Sequence, residues 1–143
     1  MQPSALLGPV VALVAWTLVM MMWMAARRLP AARAARLSMP NGTRGQDLDR
    51  QLPPRAGWPG QNYEHLMEQP TIFYAIVFAL VLMGFDHAIN VSLAWGYVGL
   101  RVVHSIVQST TNRVAHRATI FVLGSLCLMA LTIHAALFLI HRS

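Results

Sequence analysis

Arg101-Val-Val-His104-Ser105-Ile-Val-Gln108-Ser-Thr-Thr-Asn112-Arg113-Val-Ala-His-Arg117 is the stretch on which the fold turns. One apolar run precedes it and another follows, which places it at the inner edge of a membrane. Arg101, His104, Ser105, Gln108 and Asn112 stand at offsets of 0, 3, 4, 7 and 11. On a helix of about 3.6 residues per turn these five share one face. A polar stripe with an arginine on an otherwise apolar helix is costly, so it implies a partner or a ligand.

Composition supports the membrane setting. The 143 residues are 56% hydrophobic and 11% charged, where a soluble domain carries about 25% charge. One domain is expected at this length. The net charge of +6 comes from 11 basic residues, all arginine, against 5 acids. Much of this charge flanks apolar segments and follows the positive-inside rule, which argues against nucleic acid as a partner. The single cysteine, Cys127, has no internal disulfide partner and reads as a small buried hydrophobe.

Ala5–Ala26 is apolar throughout and long enough to span the ~30 Å hydrocarbon core. No basic segment precedes it, and Arg27 and Arg28 follow it, so it reads as a membrane helix rather than a cleaved leader. Residues 27–60 hold seven of the arginines, five prolines and four glycines, a composition that precludes one long helix. The Ala-Ala-Arg repeat at 31–36 extends the first helix or forms a short one. Asn41-Gly42-Thr43 fits a glycosylation sequon by chance, on the cytoplasmic side. Helices are expected at about 5–28, 62–85, 88–110 and 117–140, with a cytoplasmic loop at about 29–61. Pro70 would kink the second. The expected fold is a single all-α integral membrane domain, a bundle of four transmembrane helices. The arginine distribution puts both basic connections in the cytoplasm and both termini, including His141 and Arg142, outside.

Depth then brings separated segments together. Arg101 lies ~20 Å along the third helix and Glu68 ~9 Å in from the cytoplasmic face, at ~1.5 Å per residue. Asn62, Glu64, His65, Glu68, Arg101, His104, Gln108, Arg113 and Arg117 thus share one layer. One reading is a structural ion pair between Glu68 and Arg101, with the other arginines at lipid head groups. The other is a site for an anionic ligand, supported by the surplus of Arg101, Arg113 and Arg117 over Glu68. His134 stands alone and reads as structural. No spacing of His, Cys, Asp and Glu points to a metal, and Ser105 lacks the base of a nucleophilic serine. The tryptophans read as packing or interface anchors.

Three segments carry a family resemblance: Asn62-Tyr-Glu-His-Leu-Met-Glu68-Gln-Pro70-Thr-Ile-Phe-Tyr74, Trp95-Gly-Tyr-Val-Gly-Leu-Arg101-Val-Val-His104-Ser105, and Asn112-Arg113-Val-Ala-His-Arg117. In this order the chain resembles the MAPEG proteins (membrane-associated proteins in eicosanoid and glutathione metabolism), in particular their small bacterial members. The resemblance implies a homotrimer in the bacterial inner membrane, with glutathione as co-substrate between neighbouring subunits near the cytoplasmic face. It implies that Glu68 binds the glutathione backbone and that Arg101 and Arg113 bind its carboxylates. His104 would line the same site, with Asn62, His65 and Gln108 beside it. Arg117 matches the catalytic arginine that stabilises the glutathione thiolate. Gln108 stands where catalytic members carry a tyrosine. His65 stands where the family's asparagine usually precedes the glutamate, and Asn62 lies a further turn back. The implied activity is that of a membrane-bound glutathione-dependent transferase or peroxidase acting on a lipophilic electrophile or peroxide. Two other readings stay open: a non-catalytic binding or regulatory protein on the same scaffold, and a small channel or carrier.

Overall fold

The computed structural model describes residues 3–38 and 40–141. These form five helices: α1 (Leu7–Ala34), α2 (Gly45–Gln51), α3 (Pro54–Leu82), α4 (Ala88–Thr110) and α5 (Val114–Ile140). No strand occurs among the described residues. α1, α3 and α5 are long and apolar enough to cross a membrane. At ~1.5 Å rise per residue each extends ~40 Å, beyond the ~30 Å hydrocarbon layer. α4 has 23 residues but carries the polar stripe, and it is not among the three.

The apolar residues divide by face. Leu13, Met20, Phe73, Val77, Tyr97 and Leu131 are fully buried in one core drawn from all four long helices. Val11, Leu18, Ile72, Phe78, Leu126 and Ile133 point outward on α1, α3 and α5. At most 28% of any spanning window is buried inside the chain. Outward-facing apolar residues on so large a scale suit lipid, which is as apolar as leucine and exerts no hydrophobic penalty.

Helix ends follow local chemistry. α3 begins at Pro54, not near Asn62, because a proline at the first turn gives up a donor that would be unpaired anyway. It then continues through Pro59 and Pro70. α3 ends in a Schellman motif: Gly84 (φ 64°) donates to Val81 O at 3.0 Å and Phe85 to Leu80 O at 2.9 Å. α1 runs on past residue 28 to Ala34, with Pro30 inside it. The interval 27–60 therefore contains the end of α1, all of α2 and the first turns of α3, and no single helix traverses it. Arg142 lies outside the described residues.

One ion pair orders this connection. The Arg28 guanidinium grips Asp49 with two hydrogen bonds, Nε to Oδ1 at 2.8 Å and Nη2 to Oδ2 at 2.6 Å. Asp49 is buried although it belongs to a short polar helix. Gly57 and Gly60 of α3 leave the room it needs, and a Cβ on Gly60 would collide with Arg28 Nη2 and Asp49 Oδ2. Beneath the pair, Ala32, Leu48 and Leu52 form a second small core. A bidentate pair of this kind is among the stronger polar contacts, and removing one partner strands the other.

Replacing Asp49 by alanine is expected to lower stability by about 2 kcal/mol, the cost of a stranded partly buried donor. Gly60→Ala should act in the same direction. Thermal unfolding in detergent measures both, and unchanged melting in both variants would show that the pair is dispensable.

Candidate functional site

The α3–α4 interface sets the site through an antiparallel register. At its centre the Phe73 and Tyr97 rings stack 4.5 Å apart. One turn towards the basic connection, Arg101 donates Nη2 to Gln69 Oε1 and Nε to the Tyr97 hydroxyl at 3.1 Å. The next turn pairs His65 with His104, ring centroids 6.3 Å apart. Positions 65, 69 and 73 are four residues apart and face 97, 101 and 104, so each turn of α3 meets one turn of α4. The following turn carries Asn62 and Gln108, both buried.

Gln69 is the hub. Its Nε2 donates to Ser125 Oγ on α5 at 2.8 Å, while its Oε1 accepts from Arg101 and from the Tyr97 hydroxyl at 3.4 Å. One amide thus ties three helices. The Arg101 guanidinium also lies 5.5 Å from the centroids of the Tyr97 and Phe121 rings, which hold it by cation–π attraction. Arg101 is 3% exposed. The Glu68–Arg101 ion pair considered from sequence does not form. Glu68 points off this interface and is exposed, and the neighbouring amide takes its place.

Beside the interface, His65, Glu68, His104, Val114, Arg117, Ala118 and Phe121 line an open surface cavity of about 270 Å³. α3 and α4 supply its polar side, and α5 supplies Arg117 and an apolar wall. Arg117 is aimed by the turn before it. Asn112 adopts a left-handed conformation (φ 51°), its amide donates to Val107 O at 2.8 Å, and its Oδ1 accepts from Arg117 Nη1. Asparagine tolerates that conformation at a helix end. Asn112 therefore leaves the stripe of α4 and becomes a support for the cavity cation.

The expected site residues divide into three groups. His65, Glu68, His104 and Arg117 meet around the cavity. Arg101 sits behind it, committed to Gln69 and Tyr97. Asn62 and Gln108 are closed off from it, 0% and 1% exposed; both polar atoms of the Asn62 amide and Gln108 Oε1 lack a hydrogen-bond partner among the described residues. Arg113 is exposed as the residue preceding α5. Gln69 and Tyr97 were not anticipated. The spacing of 65, 69 and 73 was the available clue, but a neutral amide next to a glutamate draws less notice than the charge. Among the described residues no group of His, Cys, Asp and Glu could hold a metal ion.

Gln69→Leu should strand the buried guanidinium and cost about 2 kcal/mol or more. Gln69→Glu keeps the acceptor and should unfold at a higher temperature than Gln69→Leu. Equal melting temperatures in detergent would show that Arg101 does not depend on this partner.

Comparison with curated proteins and with solved structures found no match in either. A family profile, that of the MAPEG family, matches residues 6–137, nearly the whole chain. Together with the apolar spanning helices, the match establishes that this chain is a membrane protein belonging to the MAPEG family.

Proposed function

We propose that this chain is a glutathione-dependent transferase or peroxidase acting on a lipophilic electrophile or peroxide. The observation that carries the reading is the cavity in which Arg117, steered by Asn112, meets two imidazoles and Glu68 across from an apolar wall. A free thiol ionises with a pKa of ~8.5, and a neighbouring guanidinium raises the thiolate fraction at neutral pH. The thiolate is the nucleophile. Val114, Ala118 and Phe121 offer an apolar surface on which an electrophile arriving from lipid can rest against it.

In this reading α4 is a fourth span. Its polar stripe is turned inward, with Arg101, His104, Ser105 and Gln108 buried, while Trp95, Val103 and Ile106 face outward. Both basic connections lie in the cytoplasm and both termini outside, with the protein resident in the bacterial inner membrane. The protein acts as a homotrimer, in which Arg113 is free to reach a ligand shared with a neighbouring subunit. Glu68 binds the glutathione backbone. Asn62, Gln108 and Arg101 act from behind the cavity wall and hold its shape.

A second reading is a non-catalytic binding protein on the same scaffold. Gln108 favours it, because this position carries a tyrosine in catalytic members of the family and is here a sealed amide with an unpartnered Oε1.

Detergent-purified protein is expected to bind glutathione at millimolar concentration or below by calorimetry. Arg117→Ala should reduce the thiolate absorbance of the bound ligand and lower turnover about 100-fold, as loss of one charge-stabilising donor does. Binding without turnover would select the non-catalytic reading. Absence of binding at millimolar glutathione would remove both.

A further inference from the structure

At the far end of the bundle, Phe85, Ile89, Leu137 and Phe138 line a second open cavity, of about 500 Å³. That volume is in the range of small-molecule sites, ~300–1,000 Å³. The cavity lies between the turn after α3, the first turn of α4 and the end of α5. Asn90 on its wall precedes His104 by fourteen residues of one helix, ~20 Å at ~1.5 Å per residue. It is therefore separate from the cavity of Arg117 and Glu68. Ile89 and Leu137 are exposed, so its mouth opens on the apolar outer surface. Inside, the Phe85 and Phe138 rings stack with centroids 4.3 Å apart.

The polar part of the wall has fixed hydrogen-bond directions. Asn90 Nδ2 donates to Phe85 O at 3.1 Å. A carbonyl only accepts, so the amide turns its Oδ1 towards His134 Nδ1, 2.8 Å away. Asn90 is fully buried, which holds it in this orientation. His134 Nδ1 therefore carries the ring proton, and in the neutral imidazole Nε2 is left as an acceptor. His141 repeats the pattern. Its Nδ1 lies 2.7 Å from Leu137 O, so its Nε2 is also an acceptor. His87 is the reverse: its Nδ1 accepts from the Ile89 amide at 3.4 Å, and its Nε2 keeps the N–H. All three imidazoles line the cavity, and among the described residues no arginine and no carboxylate does.

We propose that this cavity is a binding site for a lipophilic phenol, an aromatic body carrying a neutral hydroxyl. The hydroxyl is the complement of the wall, since it gives one proton and takes one. It donates to His134 Nε2, whose tautomer the chain from Phe85 O through Asn90 has set. Its oxygen can accept from the His87 ring edge. A carboxylate or phosphate would find no cation here to offset its desolvation. Phe85, Phe138 and the imidazoles supply ring faces and edges, which favour a flat aromatic body over an alkyl chain. His134 thus has two functions: Nδ1 joins α5 to α4, and Nε2 reads the ligand.

The test uses the full-length protein, labelled with nitrogen-15 histidine, in a detergent without hydroxyl groups and a mildly alkaline buffer. Naphthol, its methyl ether methoxynaphthalene, and decanol are the probes. Before any probe is added, His134 Nε2 is expected to resonate as an unprotonated acceptor. Naphthol should shift that resonance saturably. Methoxynaphthalene, which has the same body and no proton to donate, should bind about fivefold more weakly, the worth of one ordinary hydrogen bond. Decanol should also bind more weakly than naphthol. Leu137→Trp, at an exposed position on the cavity wall, should fill the space and abolish the shift. A protonated Nε2 in the free protein, no saturable shift, or equal affinity for naphthol and its ether would overturn the proposal. Decanol binding as tightly as naphthol would overturn the aromatic assignment, and undiminished binding by Leu137→Trp would overturn the placement in this cavity. None of these outcomes bears on glutathione binding at the other end of the bundle.

Discussion

A guanidinium buried in the apolar interior of a membrane protein must have acceptors supplied by the fold, because neither lipid nor bulk water can supply them there. Arg101 finds them in Gln69 and the Tyr97 hydroxyl, with the faces of Tyr97 and Phe121 beside it. The consequences reach beyond the pair. Gln69 also engages Ser125, so satisfying one arginine fixes α3, α4 and α5 at a common depth. Together with the Phe73–Tyr97 stack it sets the register that brings His65 to His104. The cavity lies one turn from this junction. The arginine contributes to the site by positioning its walls.

The other end of the polar layer is organised by a different device. The Arg28–Asp49 pair holds a seven-residue helix onto α1 and α3, through a gap left by Gly57 and Gly60. A short helix has too few internal hydrogen bonds to persist alone. Here a bidentate ion pair and a small apolar cluster of Ala32, Leu48 and Leu52 supply what helix length does not. The connection thereby becomes an ordered extension of the spanning helices next to the site. Asn112 plays a similar part on a smaller scale, turning the chain and aiming Arg117 with one side chain.

The helices and the inward stripe of α4 were legible because they depend on local period. Arg101, His104, Ser105 and Gln108 recur at helical spacing and are all buried. The meeting of His65, Glu68, His104 and Arg117 was legible through depth, since residues at equal rise from one membrane face must share a layer. Less legible were the ends. Pro54 and Pro59 read as part of a broken connection and Pro70 as a kink, yet α3 starts at the first and continues through the other two, because Pro54 occupies a helix start and packing outweighs the cost of the others.

The sequence by itself determined that this is a helical membrane protein of its family and which residues each helix turns to one side. Only the tertiary structure decided how those sides pair. Glu68 and Gln69 are adjacent in the chain but about 100° apart around the helix. Which of them meets Arg101 depends on the rotation of α3 against α4, and that rotation is set by the Phe73–Tyr97 contact and by Ser125 on a third helix. Charge alone would select the glutamate. Packing turns it towards the cavity and leaves the neutral amide as partner of the buried cation.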